Sequence, residues 1–125
     1  MSFKYPKKEK LTSKIIISKL FEDSQQIYKY PLKLLWINTE LPANVPVQST
    51  ISVSKKRFKK AVTRNLLKRR MREAFRLNKN DLYNQLSIDN KQIAVMIIYQ
   101  NNDILPYSTI EKSIINLFSE LQKKF

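Results

Sequence analysis

The sequence predicts an α+β domain: a small mixed sheet of three to four strands packed with three helices, in the order α-β-β-(β)-α-β-α. Three observations carry this. Apolar residues recur at helical spacing over residues 13–23, 60–77 and from 108 onward. Strand-like stretches occupy residues 31–38, 47–55 and 92–100. The strand–helix–strand piece over residues 47–100 is long enough for a parallel crossover.

Residues 1–10 are basic and polar and read as an extension preceding a single domain over residues 11–125. The first helix carries Ile16, Ile17, Leu20 and Phe21 on a broad apolar face, with Thr12 or Ser13 as its N-cap. A strand over residues 26–30 is only weakly signalled. The next strand has apolar residues on both faces, Leu32, Leu34 and Trp36 against Lys33, Leu35 and Ile37, which predicts cover on both sides. Pro42, Asn44 and Pro46 mark a loop. The strand from Val47 then sets Val47, Ser49, Ile51 and Val53 opposite a small polar face of Gln48, Thr50, Ser52 and Ser54. That polar face either lies against a binding partner or is solvated. After the long helix, Asn78, Asn80 and Asp81 break the pattern, leaving a short turn of helix through Leu86. Residues 93–99 are apolar throughout and read as a central strand. The last helix is expected to start at Ser108, capped by a Ser108–Glu111 box, with Ile110, Ile114, Leu117, Phe118 and Leu121 as its core stripe.

Composition restricts function. Lys and Arg number 24 against 10 acids, a net charge of +14. A packed core gains nothing from such an excess, so a polyanionic partner, nucleic acid before a membrane surface, is the economical explanation. The absence of Cys and His excludes disulfides, thiolate or imidazole metal sites and imidazole-based triads. No apolar run reaches membrane-spanning length, and the N-terminus lacks the apolar core of a secretory signal, so a cytoplasmic location without membrane association is expected. Glycine is absent too, and turns must be built from Asn, Asp, Ser and Pro. An AT-biased genome and a redesigned sequence both fit that absence.

The feature that carries function is the long helix. At about 100° per residue, Arg64, Lys68, Arg72, Asn65, Arg76 and Arg69 fall within an arc of roughly 140°. Leu66, Leu67, Met71, Ala74 and Phe75 occupy the other side, and Arg70 must reach outward from its edge. A merely solvated helix fits poorly. Exposed faces normally alternate charge, whereas Arg64, Lys68, Arg72 and Arg76 follow one another at i,i+4 with no acid on the row. A membrane-surface helix would need its apolar face free for lipid, and the sheet consumes that face. Lys55, Lys56, Arg57, Lys59 and Lys60 extend the cationic patch, with Phe58 tucked into the core. Arg predominates on the helix, and its planar fork suits phosphate oxygens.

The stretch Ile51-Ser52-Val53-Ser54-Lys55-Lys56, then Ala61-Val62, then Arg64-Asn65-x-x-Lys68-Arg69-x-x-Arg72-Glu73 resembles the signature of the bacterial ribonuclease P protein subunit, a strand followed by the RNR-motif helix. Weaker resemblance covers most of the chain. Many members carry Gly where this chain has Ser24 and Thr50, a departure that leaves the RNR motif intact.

The resemblance implies a fold with a left-handed crossover around that helix, and a protein subunit that assists an RNA enzyme in removing the 5′ leader of precursor tRNA. By position, Arg64, Asn65, Lys68, Arg69 and Arg72 are expected to contact the catalytic RNA, with Lys55, Lys56, Arg57 and Lys60 as neighbouring phosphate contacts. Ile17 and Phe21 match positions in a leader-binding cleft between the first helix and the sheet. Leu35 or Trp36 would complete it from the sheet, with core packing as the alternative for Trp36. The implied partners are the catalytic RNA and precursor tRNA, the chain being otherwise a monomer. No cofactor is expected on the protein alone, the Mg2+ of the ribonucleoprotein being held chiefly by RNA. No catalytic residue is expected either, because the ten acids are scattered and the adjacent pair Glu22-Asp23 cannot converge on one metal. A ribosomal or general structured-RNA-binding protein is the alternative, and a DNA-binding module with the basic helix in a major groove is a third.

Overall fold

The computed structural model describes residues 4–125. The first three residues of the expected extension lie outside the described residues. A short 3-10 turn at Lys7–Glu9 precedes α1 (Lys14–Glu22), β1 (Gln25–Lys29), β2 (Leu32–Asn38), β3 (Val47–Ser52), α2 (Ala61–Asn78), α3 (Asn80–Ile88), β4 (Ile93–Tyr99) and α4 (Tyr107–Gln122). The chain is an α+β fold with a four-stranded mixed sheet in the order β1-β2-β4-β3. β1 and β4 flank β2 antiparallel, and β3 runs parallel to β4. The all-apolar strand β4 is therefore central, as its composition requires.

Strand alternation divides the core. Leu32, Leu34, Trp36, Ile93, Val95, Ile97 and Tyr99 point to one face, where they pack with Leu67, Met71 and Phe75 of α2 and Ile110, Ile114 and Phe118 of α4. Leu35, Ala94 and Met96 point to the other, beneath Ile16 and Leu20 of α1. Both faces of β2 are thus covered. Ser13 caps α1, its Oγ accepting from Ile16 N at 3.3 Å.

Four expectations need correction. The weakly signalled first strand is a full partner of β2, in the register Gln25↔Trp36 to Lys29↔Leu32. The broken stretch after α2 is a nine-residue helix, α3, because Leu82 and Leu86 at i,i+4 both reach the core. β3 stops at Ser52, and the chain turns where Lys56 N donates to Ser54 Oγ at 3.0 Å. α4 begins at Tyr107 with Pro106 in the cap position and no side-chain cap. Glu111 accepts instead from Tyr107 Oη at 3.0 Å and Asn78 Nδ2 at 3.2 Å.

A glycine-free chain still needs a left-handed residue to end a helix before a strand. Asn90, with φ of 55°, fills that place after α3. Asn90 N donates to the Ser87 carbonyl and Lys91 N to the Leu86 carbonyl, a Schellman ending with Asn in the glycine position.

Candidate nucleic-acid interface

α2 is anchored by Leu67, Met71, Ala74 and Phe75, all fully buried. This i,i+4,i+7,i+8 spacing turns the opposite side outward. Asn65, Arg69 and Arg72 are exposed; Arg64, Lys68 and Arg76 are half-buried. The expected cationic arc is thus one continuous face, but its members differ. Arg64 folds back on the preceding loop, donating from Nη1 to the carbonyls of Phe58 and Lys59, each at 2.9 Å. Arg76 is held by Glu73, with contacts of 2.5 and 3.2 Å. The Arg76 guanidinium holds the Glu73 carboxyl below the usual carboxylate range. Arg70 reaches out from the apolar side, as its position demands, and donates to the Leu105 carbonyl at 2.6 Å.

Lys55, Lys56, Arg57, Lys59 and Lys60 are exposed where β3 turns into α2. Phe58 between them is buried and meets Tyr99 edge-on, with ring centroids 5.8 Å apart. Arg57 crosses to the β4–α4 loop, donating to Asn102 Oδ1 at 2.8 Å. The loop therefore presents its cations from a fixed backbone, pinned by Phe58 beneath and by Arg64 from α2.

The second candidate area lies on the α1 side of the sheet. Ile17 is half-buried at the edge of α1, and Phe21 projects beyond it with 67% of its surface exposed. Leu35 lies under α1 in the core and is 4% exposed. Trp36 is on the opposite face, 3% exposed, meeting Phe125 edge-on at 5.2 Å. Residues 35 and 36 must face opposite ways along a strand, so Trp36 is a core residue and cannot complete a cleft beside Phe21. Sheet residues that do share the α1 face are Thr50, Ser52, Lys33 and Ile98, all half-buried, and the exposed Tyr28, which is registered with Lys33. The polar side of β3 is one wall of this area, except that Gln48 is buried beneath the N-terminal segment, its Nε2 donating to the Lys8 carbonyl.

Tyr5 and Lys10 were not among the residues singled out in the sequence, yet both stand beside the basic helix. They share a depression of about 210 Å³ with Arg69, Arg72, Glu73 and Arg76. A second, of about 220 Å³, continues from Tyr5, Lys10 and Arg72 toward Thr12 and Thr50, joining the α2 face to the α1 side of the sheet.

Among the described residues, no three His, Cys, Asp or Glu side chains converge as a metal site. Glu9, Glu73 and Glu120 each pair with a cation. No described helix is long and apolar enough to cross a membrane.

Comparison with known proteins matches this arrangement to one family. The family model described as Ribonuclease P matches residues 5–122. The ribonuclease P protein component of Porphyromonas gingivalis is 33% identical over 115 residues, covering 90% of this chain and 82% of that protein. The corresponding protein of Chlorobaculum tepidum is 32% identical over 102 residues, covering 76% and 66%. Among solved structures, the RNase P protein of Thermotoga maritima superposes with a TM-score of 0.68 at 21% identity, covering 90% of this chain and 96% of that one. The Staphylococcus aureus protein gives 0.66 at 17% identity, covering 90% and 94%.

Proposed function

The chain belongs to the ribonuclease P protein family, and from that premise we propose that its α2 face docks on the catalytic RNA while the α1 side of its sheet holds the single-stranded 5′ leader of precursor tRNA. It is a protein subunit of ribonuclease P, an RNA-binding component of a tRNA-processing endoribonuclease whose RNA subunit is its partner. The observation that carries the docking role is the exposed row of Asn65, Arg69 and Arg72 on a helix anchored from its other side by the fully buried Leu67, Met71, Ala74 and Phe75. These groups present donors from a rigid element, and phosphate contacts of this kind fix orientation. Arg64 supports that face from its base, and Lys55, Lys56, Arg57, Lys60 and Lys68 widen it.

Leader binding rests on a different chemistry. Phe21 is an exposed aromatic on a rigid helix, and a base can stack on it. Ile17 supplies apolar contact beside it, Leu35 supports the floor from below, and Trp36 has no part in the cleft. Among the described residues no carboxylates converge as a metal site, and in this reading the hydrolytic step and its Mg2+ belong to the RNA. The protein's contribution is to bind and orient leader and RNA together, as a monomer acting in the cytoplasm.

The deciding experiment is cleavage of precursor tRNA by a bacterial ribonuclease P RNA across a Mg2+ series, with and without the chain. The chain should lower the Mg2+ requirement and cleave nothing by itself. An Arg64→Ala, Arg69→Ala variant should lose the effect. Unchanged processing at low Mg2+ on adding the wild-type chain would refute the proposal, and equal affinity for unrelated structured RNAs at matched salt would favour a general RNA-binding role.

A further inference from the structure

The residues ahead of α1 are tied down at both ends of a short path. At one end, Glu9 and Lys79 form an ion pair of 2.8 Å with both residues buried. Tyr83 Oη donates to the same Glu9 oxygen at 2.6 Å, and Lys79 Nζ also donates to the Lys4 carbonyl. Lys79 stands at the junction of α2 and α3, so this clamp fastens the segment to the end of the basic helix. At the other end, Leu11 N donates to the Ser49 carbonyl at 2.9 Å, which lays the segment along the open edge of β3. Ahead of both in the chain, Tyr5 stacks on Phe75 at 5.5 Å and bonds Ser49 through its hydroxyl. Burying a charged pair costs several kcal/mol, and the added bonds from Tyr83 and to the Lys4 carbonyl offset part of that cost. The consequence is that Lys10 is held at the depression it shares with Arg69 and Arg72.

We propose that Tyr5 and Lys10, on the segment clamped by Glu9, Lys79 and Tyr83, form the second wall of a phosphate-binding groove in which Lys10 opposes Arg69 and Arg72 around an RNA backbone. This deepens the reading of α2 as an RNA-docking helix and rests on it. Four cations line one depression, Lys10, Arg69, Arg72 and Arg76, and its single acid, Glu73, already contacts Arg76. Their mutual repulsion is relieved by a polyanion. The adjoining depression leads from Lys10 past Thr12 to Thr50, so a strand leaving the groove is directed toward the α1 side of the sheet.

The test is equilibrium binding of the full chain to a bacterial ribonuclease P RNA over a KCl series. Lys10→Ala should lower the slope of log K against log salt by about 0.7–0.9, one phosphate contact, and weaken binding about tenfold. Lys8→Ala, on the same segment but outside the groove, should do neither. If Lys10→Ala behaves as Lys8→Ala while Arg69→Ala lowers the slope, the groove is overturned and α2 docking stands. If Arg69→Ala is silent as well, the docking proposal falls and takes the groove with it. The clamp is tested in a Glu9→Gln, Lys79→Met double variant, which strands no buried charge. There Lys10→Ala should cost nothing more, and an undiminished loss would show that Lys10 acts without the clamp.

Discussion

The Arg64 guanidinium donates to the Phe58 carbonyl at 2.9 Å, which places the first Arg of the basic helix in the framework of the loop before it. A second bond, to the Lys59 carbonyl, is equally short. Arg64 therefore has two consequences where Arg69 has one. Arg64→Ala should lower the free energy of unfolding by about 1.5–3 kcal/mol, the range for lost hydrogen bonds to a charged group. Arg69→Ala, with an exposed side chain, should change stability by no more than about 0.5 kcal/mol. Both should weaken RNA binding. Urea unfolding of the two variants side by side checks this, and equal stabilities would show that the Arg64 contacts carry no weight.

Phe21 and Trp36 make a second contrast. Trp36→Ala removes a buried ring that touches Phe125 and should cost about 3–5 kcal/mol. Phe21→Ala removes an exposed one and should leave the melting temperature within a degree or two. If Phe21 stacks a leader base, its loss should weaken binding of precursor tRNA to the holoenzyme by about 1–3 kcal/mol while leaving mature tRNA unaffected. An equal effect on both tRNAs would remove Phe21 from the leader cleft.

Glu9→Ala leaves the Lys79 ammonium buried without its carboxylate, and breaking such a pair typically costs about 3–5 kcal/mol. Replacing both partners, Glu9→Leu with Lys79→Met, should recover most of that loss, because the destabilisation comes from the stranded charge. Chemical denaturation of the single and double variants decides it: a double variant no more stable than Glu9→Ala would mean that the pair itself stabilises the fold.

How much of this was legible in the sequence follows the range of the interactions. The α2 face, the all-apolar β4 and the Ser13 cap are local patterns, and all three stand. β1 was faint because Gln25, Gln26 and Tyr28 are exposed on an edge strand that only its pairing to β2 defines. α3 was obscured by Asn78, Asn80 and Asp81, which disfavour helix locally but are overruled by the burial of Leu82 and Leu86. Trp36 was ambiguous because β2 is apolar on both faces, so alternation could not say which face holds the core helices. The N-terminal clamp was invisible, since Glu9 and Lys79 are 70 residues apart and each reads as an ordinary surface charge.

The same clamp makes a prediction in alkaline solution. Burial, and then the hydrogen bond and charge of Glu9, push the Tyr83 phenol well above its usual range. Above about pH 10 the unfolded chain gives up this proton while the folded chain keeps it. The folded state then binds more protons, so stability must fall as pH rises, by up to about 1.4 kcal/mol per pH unit for this group. The contribution is complete below pH 10 and is lost progressively above it. Tyr5, Tyr99 and Tyr107, the last pushed up to about 12, act in the same direction. Tyr83→Phe should be less stable at pH 8 by about 1 kcal/mol, for the lost bond to Glu9, and should lose stability less steeply from pH 10 to 11. Urea unfolding at half-unit pH steps reads both effects, and parallel curves for the two proteins above pH 10 would show that Tyr83 ionises as readily folded as unfolded.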